Sequence, residues 1–253
     1  MDARLPVFPL GTVLFPGLVL PLHIFEARYL ELMQHLINLP DGTPREFGVV
    51  AIRSGGSAPV ASGPEQERHP GPERPPGGPE PEPAGRQPDG TPVTLHEIGC
   101  TAELRQVTEL PDGRLDVVTV GRRRFRIAEV DEESTPYLTA EVEWLPEPTG
   151  QEQLADLLAP RVLAVFRRYL ALVRDDQDEI SEQLPDDPTV LSHLVAATAA
   201  LTLTDRQRLL ATPDTAGRLT AELRLLNREA ALLRQVRAVP VSLTDLAVPA
   251  SPN

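Results

Sequence analysis

His96 and Cys100 in "HEIGC" are the first pair to test for chemistry, because an imidazole and a thiolate bind the same metals. On a strand, side chains four positions apart share a face but stand about 13 Å from each other. That is too far for one metal ion without a bulge. No Cys-x-x-Cys or His-Glu-x-x-His partner exists elsewhere. "DDQDE" at Asp175–Glu179 lacks the glycine and the final spacing of a calcium loop, so it reads as a solvated acidic run. His23 stands alone beside a helix start and reads as a hydrogen-bonded structural residue. There is no Gly-x-Ser-x-Gly elbow and no Gly-x-Gly-x-x-Gly loop. All 24 basic residues are arginine, so the sequence offers no Schiff-base lysine, no Walker A lysine and no Ser-Lys dyad. The reading is therefore no catalytic residue, no metal and no cofactor; a carboxylate-based site is the one enzyme class left open.

Charge narrows the partners. The net charge of -13 disfavours a broad phosphate-binding surface. The exception is "GRRRFR": strand alternation predicts Arg122, Arg124 and Arg126 on one face and Arg123, Phe125 and Ile127 on the other. Three exposed arginines there would meet either phosphate or neighbouring carboxylates. A single cysteine, Cys100, allows no internal disulfide and fits a reducing cytoplasm.

The elements that must position any site begin with "LPVFPLGTVLFPGLVLPLHIFEARY". Its start carries no net positive charge, and Pro6, Pro9, Pro16 and Pro21 interrupt it, which argues against an export signal or a spanning helix. Short extended segments turned at Pro16-Gly17 are predicted instead. Phe25, Tyr29, Leu32, Met33 and Leu36 then follow a helical period over about Phe25 to Asn38, with Glu26 favoured at the positive end.

"EFGVVAIR" reads as a buried strand. The segment 54–92 holds eleven prolines and almost nothing to bury, so it reads as a disordered insertion. Strand signals resume from Ile98 through "YLTAEVEWL" as an antiparallel meander, plausible as a small closed barrel. From Gln151 the chain reads as helical. Pro160 is a candidate break, "TDRQ" at Thr204–Gln207 a capping box, and Leu219, Leu223, Leu226, Ala230 and Leu233 one face of a last helix.

These residues resemble the Lon protease N-terminal, or substrate-binding, domain. The pattern is Pro9-Leu10, Pro16-Gly17, Pro21-Leu22, Ile24-Phe25-Glu26 and Arg28-Tyr29, supported by "IGCTAEL", "VTVGRRRFRI" and the late "LTDRQRLLATPDTAGRLTAELRLLNRE". The resemblance implies an α+β fold, a PUA-like antiparallel β pseudo-barrel followed by a C-terminal helical bundle. The implied partition is 1–148 for the barrel, 149–239 for the bundle and 240–253 for a flexible tail. Full Lon proteases continue into an ATPase and a peptidase. This sequence ends before either, and it resembles a stand-alone form without them.

The function implied is a non-catalytic protein-binding module that takes exposed or unfolded segments of client proteins. Phe15, Pro16, Pro21, Phe25 and Tyr29 are the candidate substrate-binding residues, because the run is more apolar than turn formation needs. Glu26 and Arg28 are expected to brace the helix start. The alternative is an adaptor or regulator of a separate Lon-type protease, and less favoured still is an RNA-binding PUA-like protein. The expected location is cytoplasmic, with no membrane partner.

Overall fold

In the computed structural model, the described residues are 3–53, 94–173 and 184–238. The expected insertion at 54–92 and tail at 240–253 lie outside them. The fold is mixed α+β, with six strands and five helices among the described residues. Contacts gather the chain into two units that interleave along the sequence. One holds the described residues up to Pro148 together with His193–Asp214, and the other holds Thr149–Ser192 and the described residues from Thr215 onward.

In the first unit, β1 (Ala3–Leu10), β2 (Val19–Ile24), β3 (Glu46–Ala51), β4 (Ile98–Glu109), β5 (Leu115–Asp131) and β6 (Thr139–Trp144) form one sheet. Its order is β2-β5-β4-β3-β1-β6, and β6 pairs back onto β5, closing it. β5 is long enough to serve both neighbours on one edge. Its first half takes β2 and its second half takes β6. The structure makes one strand of this whole segment.

The antiparallel meander expected from Ile98 onward is present as β4, β5 and β6, but the pseudo-barrel expected to be antiparallel throughout carries one parallel pair. β1 and β3 run parallel, Val7 opposite Gly48 and Leu10 opposite Ala51. A parallel pair needs a crossover connection, which β2 and α1 (Ala27–Ile37) supply between the two strands.

Two close approaches lock this unit. Phe15 to Leu18 form a turn closed by Leu18 N donating to Phe15 O, with Gly17 at φ +80°, a position L residues rarely adopt. The turn docks on Gly121: Gly17 N donates to Gly121 O and Gly121 N to Leu18 O, both at 2.8 Å. A Cβ on Gly121 would lie 2.1 Å from Phe15 O. Deeper in, the Phe125 ring lies over Gly48 and Gly99, where an added Cβ would stand 2.6 Å from its Cζ. Phe125 joins Leu5, Val7, Val50, Leu138, Ala140 and Val142 in one core cluster.

The predicted capping box is displaced by two residues. Thr202, not Thr204, caps α4 (Leu203–Ala211): its side chain accepts from Asp205 N at 3.1 Å, and its hydroxyl donates to Asp205 Oδ2 at 3.0 Å. Thr202→Ala is expected to cost about 1 kcal/mol in urea unfolding, with Thr204→Ala near neutral.

In the second unit, α2 (Glu152–Val173) passes through Pro160 without a break. Its buried face of Ala155, Leu158, Ala159, Val162, Val165, Phe166 and Tyr169 packs on α5 (Thr215–Ala238). Ala216 N donates to Thr149 O at 3.1 Å, so the two helices start side by side and run parallel. The buried stripe of α5 is Leu219, Glu222, Leu226 and Ala230, a period of 3.6.

Candidate functional site

The five residues expected at a binding site divide between core and surface. Phe15 is fully buried and Tyr29 nearly so; the Tyr29 ring stacks on Phe8 at 4.0 Å. Burial pushes the Tyr29 hydroxyl up to about 12, opposed by Arg28 and aided by Glu26. Pro16 is half-buried in the turn, whereas Pro21 and Phe25 are exposed. Phe25 does not belong to the helix that its spacing predicts. α1 starts at Ala27 with Glu26 as its N-cap, and Phe25 stands before it, 49% exposed. Glu26 and Arg28 brace that start as expected, with Arg28 Nε donating to Glu26 Oε2 at 2.9 Å.

What brings Pro21 to the surface is the pleat of β2. Leu20, Leu22 and Ile24 face inward, so Val19, Pro21 and His23 face outward. Opposite them on β5 stand Val120, Val118 and Asp116, on the same face of the sheet. Val19 is 62% exposed, and Val118 and Val120 are half-buried. The result is an apolar outer face of Val19, Pro21, Val118 and Val120. Phe25 lies next to its far end, its ring 6.1 Å from that of His23. His23 bonds Asp116 through Nδ1 at 2.7 Å, the structural role expected of it. Val19, Val118 and Val120 were not among the predicted site residues.

The edge of β2 away from β5 has no strand partner among the described residues. Pro21 has no N–H, so its pair with Val118 is one in which N and O point away from β5. The free edge therefore lacks its central donor, and the side chains, not the backbone, are what this face offers a ligand.

The arginine run is used internally. Opposite Thr101, β5 carries two residues, Arg122 and Arg123, in a bulge between the pairs Ala102–Gly121 and Cys100–Arg124. The bulge breaks the predicted alternation and turns both Arg124 and Phe125 inward. The expectation of three exposed arginines on one face is corrected by the burial of Arg124. Arg122 pairs with Glu103 at 2.8 Å, and Arg126 with Glu143 at 3.8 Å. Arg123 pairs with Glu46 at 2.5 Å and lies over the Trp144 ring at 3.8 Å.

Arg124, 1% exposed, donates to five acceptors: Glu147 Oε1 and the carbonyls of Leu210 (2.7 Å), Thr212 (2.6 Å), Pro146 (3.0 Å) and Pro213 (3.3 Å). It ties β5 to the exit of β6 and to the end of α4. Burial alone would raise the Glu147 carboxyl. Hydrogen bonds from His193 and Arg124, with their charges, outweigh it and hold the group at about 2.

A hollow of about 460 Å³ lies at the other end of β5, lined by Arg4, Glu129, Asp131, Glu132, Glu133 and Glu141 among others. Its central carboxylate is committed: Asp131 pairs with Arg4 and accepts the Glu133 and Ser134 N–H groups, each at 3.0 Å. Cys100 is buried, and burial pushes its thiol far up, which makes it an unreactive core residue. Among the described residues, no three or more His, Cys, Asp or Glu side chains are grouped so that they could hold a metal ion.

With this geometry in place, comparison with known proteins is decisive. The family model for the ATP-dependent protease La (LON) substrate-binding domain matches residues 4–228. The chain belongs to the Lon substrate-binding domain family. Lon protease 1 of Thermus thermophilus is 36% identical over 146 residues, covering 56% of this chain and 18% of that protein. Lon protease 2 of Herpetosiphon aurantiacus is 31% identical over 212 residues, covering 82% of this chain and 22% of that one. The chain thus spans about a fifth of the length of these Lon relatives.

Two solved structures share the fold. A Lon N-terminal domain protein from Xanthomonas campestris has a TM-score of 0.52 at 22% identity, covering 88% of this chain and 98% of that one. The N-terminal domain of a Mycobacterium avium complex Lon protease has a TM-score of 0.55 at 18% identity, covering 90% and 98%. Among the described residues, no helix is long and apolar enough to cross a membrane.

Proposed function

We propose that this chain is a non-catalytic protein-binding module that holds exposed apolar segments of unfolded client proteins on the outer face of β2. The observation that carries this reading is the apolar face of Val19 and Pro21, continued by Phe25, in a member of a substrate-binding family. Exposed apolar side chains on a folded surface gain free energy when a ligand covers them. A folded client has its own apolar segments buried and offers nothing to cover them with. An unfolded client does, which makes the face selective without any sequence code.

On this reading Val19, Pro21 and Phe25 touch the client, and Pro16 holds the turn that leads into β2. Phe15 and Tyr29 act beneath it, as packing that keeps the turn and α1 in place. The closed sheet is read as a PUA-like pseudo-barrel and residues 149–239 as the source of a helical bundle. The absence of lysine from the sequence supports binding without ATP hydrolysis or peptide cleavage of Lon type. The lone buried thiol suits a cytoplasmic setting.

The test is fluorescence anisotropy of a labelled, permanently unfolded protein against the purified chain, with the same protein folded as control. Selective binding of the unfolded form is expected. Equal binding of both forms, or of neither, would remove client recognition as the function.

A further inference from the structure

Glu222 is 0% exposed, on the buried stripe of α5, the helix that packs on α2. Neither of its carboxyl oxygens has a hydrogen-bond partner. A buried carboxylate with no bond to either oxygen is among the costliest groups a fold can hold, and natural structures avoid it unless the group is neutral.

The described groups around it are few. On α5 itself, Arg218 stands one turn earlier and is also fully buried. Its Nε donates to Ser192 Oγ at 2.8 Å, on the α3 segment (Pro188–Thr198) that begins in the same unit. Ser192 in turn donates to Thr189 O at 2.8 Å. The buried face of α2 is apolar apart from Tyr169. Asp187, the acid at the start of α3, is exposed and accepts from the Thr189 and Val190 N–H groups at 2.9 and 2.8 Å. Among the described residues, Arg218 therefore supplies the one cationic influence on Glu222. Burial outweighs it and pushes the carboxyl well above its ordinary range.

We propose that Glu222 is a proton-linked latch of the helical unit: the packed α2–α5 pair holds its carboxyl in the neutral, protonated form, and losing that proton loosens the pair. The sign follows from linkage. The folded state binds a proton that the unfolded chain releases above about pH 4.5. The contribution is therefore complete below that pH and is lost as pH rises through the folded titration point. Within that window the folding constant changes by up to tenfold per pH unit. The same linkage makes α5 looser in alkaline than in mildly acidic medium, a conformational response that the sheet unit does not need to share.

Two measurements on the full chain test this. Carbon-13 NMR of the glutamate side-chain carboxyls at pH 7 should show one resonance at the protonated position, absent from Glu222→Gln. All glutamates at the ionised position would overturn the proposal without any substitution. Urea unfolding followed by helical circular dichroism, from pH 5.5 to 9, should show wild type weakening with pH relative to Glu222→Gln. The amide variant should be the more stable of the two at pH 9. Equal pH dependence in both proteins, or a variant weaker by the same amount at every pH, would overturn it. The latter would make Glu222 an ionised partner of Arg218.

Discussion

Replacing Arg124 with methionine is expected to lower the stability of the sheet unit by about 3–5 kcal/mol, the usual cost of removing one member of a buried ion pair. The guanidinium gathers five convergent acceptors from two segments, the exit of β6 and the end of α4. Without it, Glu147 keeps its charge beside His193, and the carbonyls of Leu210 and Thr212 lose their shared donor. Arg124→Lys should recover only part of the loss, because one ammonium cannot span the fork. Urea unfolding at pH 7 is the measurement, and a loss under 1 kcal/mol for Arg124→Met would show that the network carries little.

The same network sets an acid limit. The folded Glu147 carboxyl lies at about 2, below its ordinary 4.5. Its contribution is present above the unfolded value and is lost as pH falls through the folded one. Glu147→Gln should therefore flatten the stability curve between about pH 4.5 and 2 while leaving its shape above pH 6 alone.

The second large effect concerns the ligand face. Covering a phenylalanine side chain contributes about 1.5–3 kcal/mol. Phe25 is already half covered, so Phe25→Ser alone should weaken an unfolded client by about three- to tenfold, and Val19→Ser with it further. Both residues are largely exposed, so the unfolding midpoint should stay within about 0.5 kcal/mol of wild type. Phe15→Ser makes the contrast. Its side chain is fully buried, so it should lose stability first and binding only as a consequence. Client affinity unchanged in the double surface variant would remove the face from the account.

Much of this was legible in the sequence, and the failures have physical causes. Pro16-Gly17 marked its turn because Pro presets the first dihedral and Gly accepts the positive φ found at the second. Leu219, Leu226 and Ala230 on the buried stripe of α5 followed from periodicity, and the strand of Glu46–Ala51 from its continuous apolar run. The outer face of β2 did not, because inward Leu20, Leu22 and Ile24 alternate with outward Val19 and Pro21, which are apolar too. Alternation carries no signal when both faces are greasy. Phe25 fell on the helical period of α1 by coincidence and sits outside the helix. Arg124 was hidden by a bulge, which adds one residue and brings it inward beside Phe125, while Arg126 stays exposed as its spacing suggests. Glu222 looked like an ordinary surface glutamate in a helix; nothing local separates it from Glu229, which is partly exposed and bonded to Arg228.

The central claim is that clients are held on the β2 face. The direct measurement is photo-cross-linking from a reactive residue placed at position 25, using a labelled unfolded client and, as control, the same group at Ala164 on the exposed side of α2. The account predicts adducts from position 25 that fade when unlabelled unfolded client is added, with little from position 164. Equal labelling from both positions, or labelling from 164 alone, would contradict it.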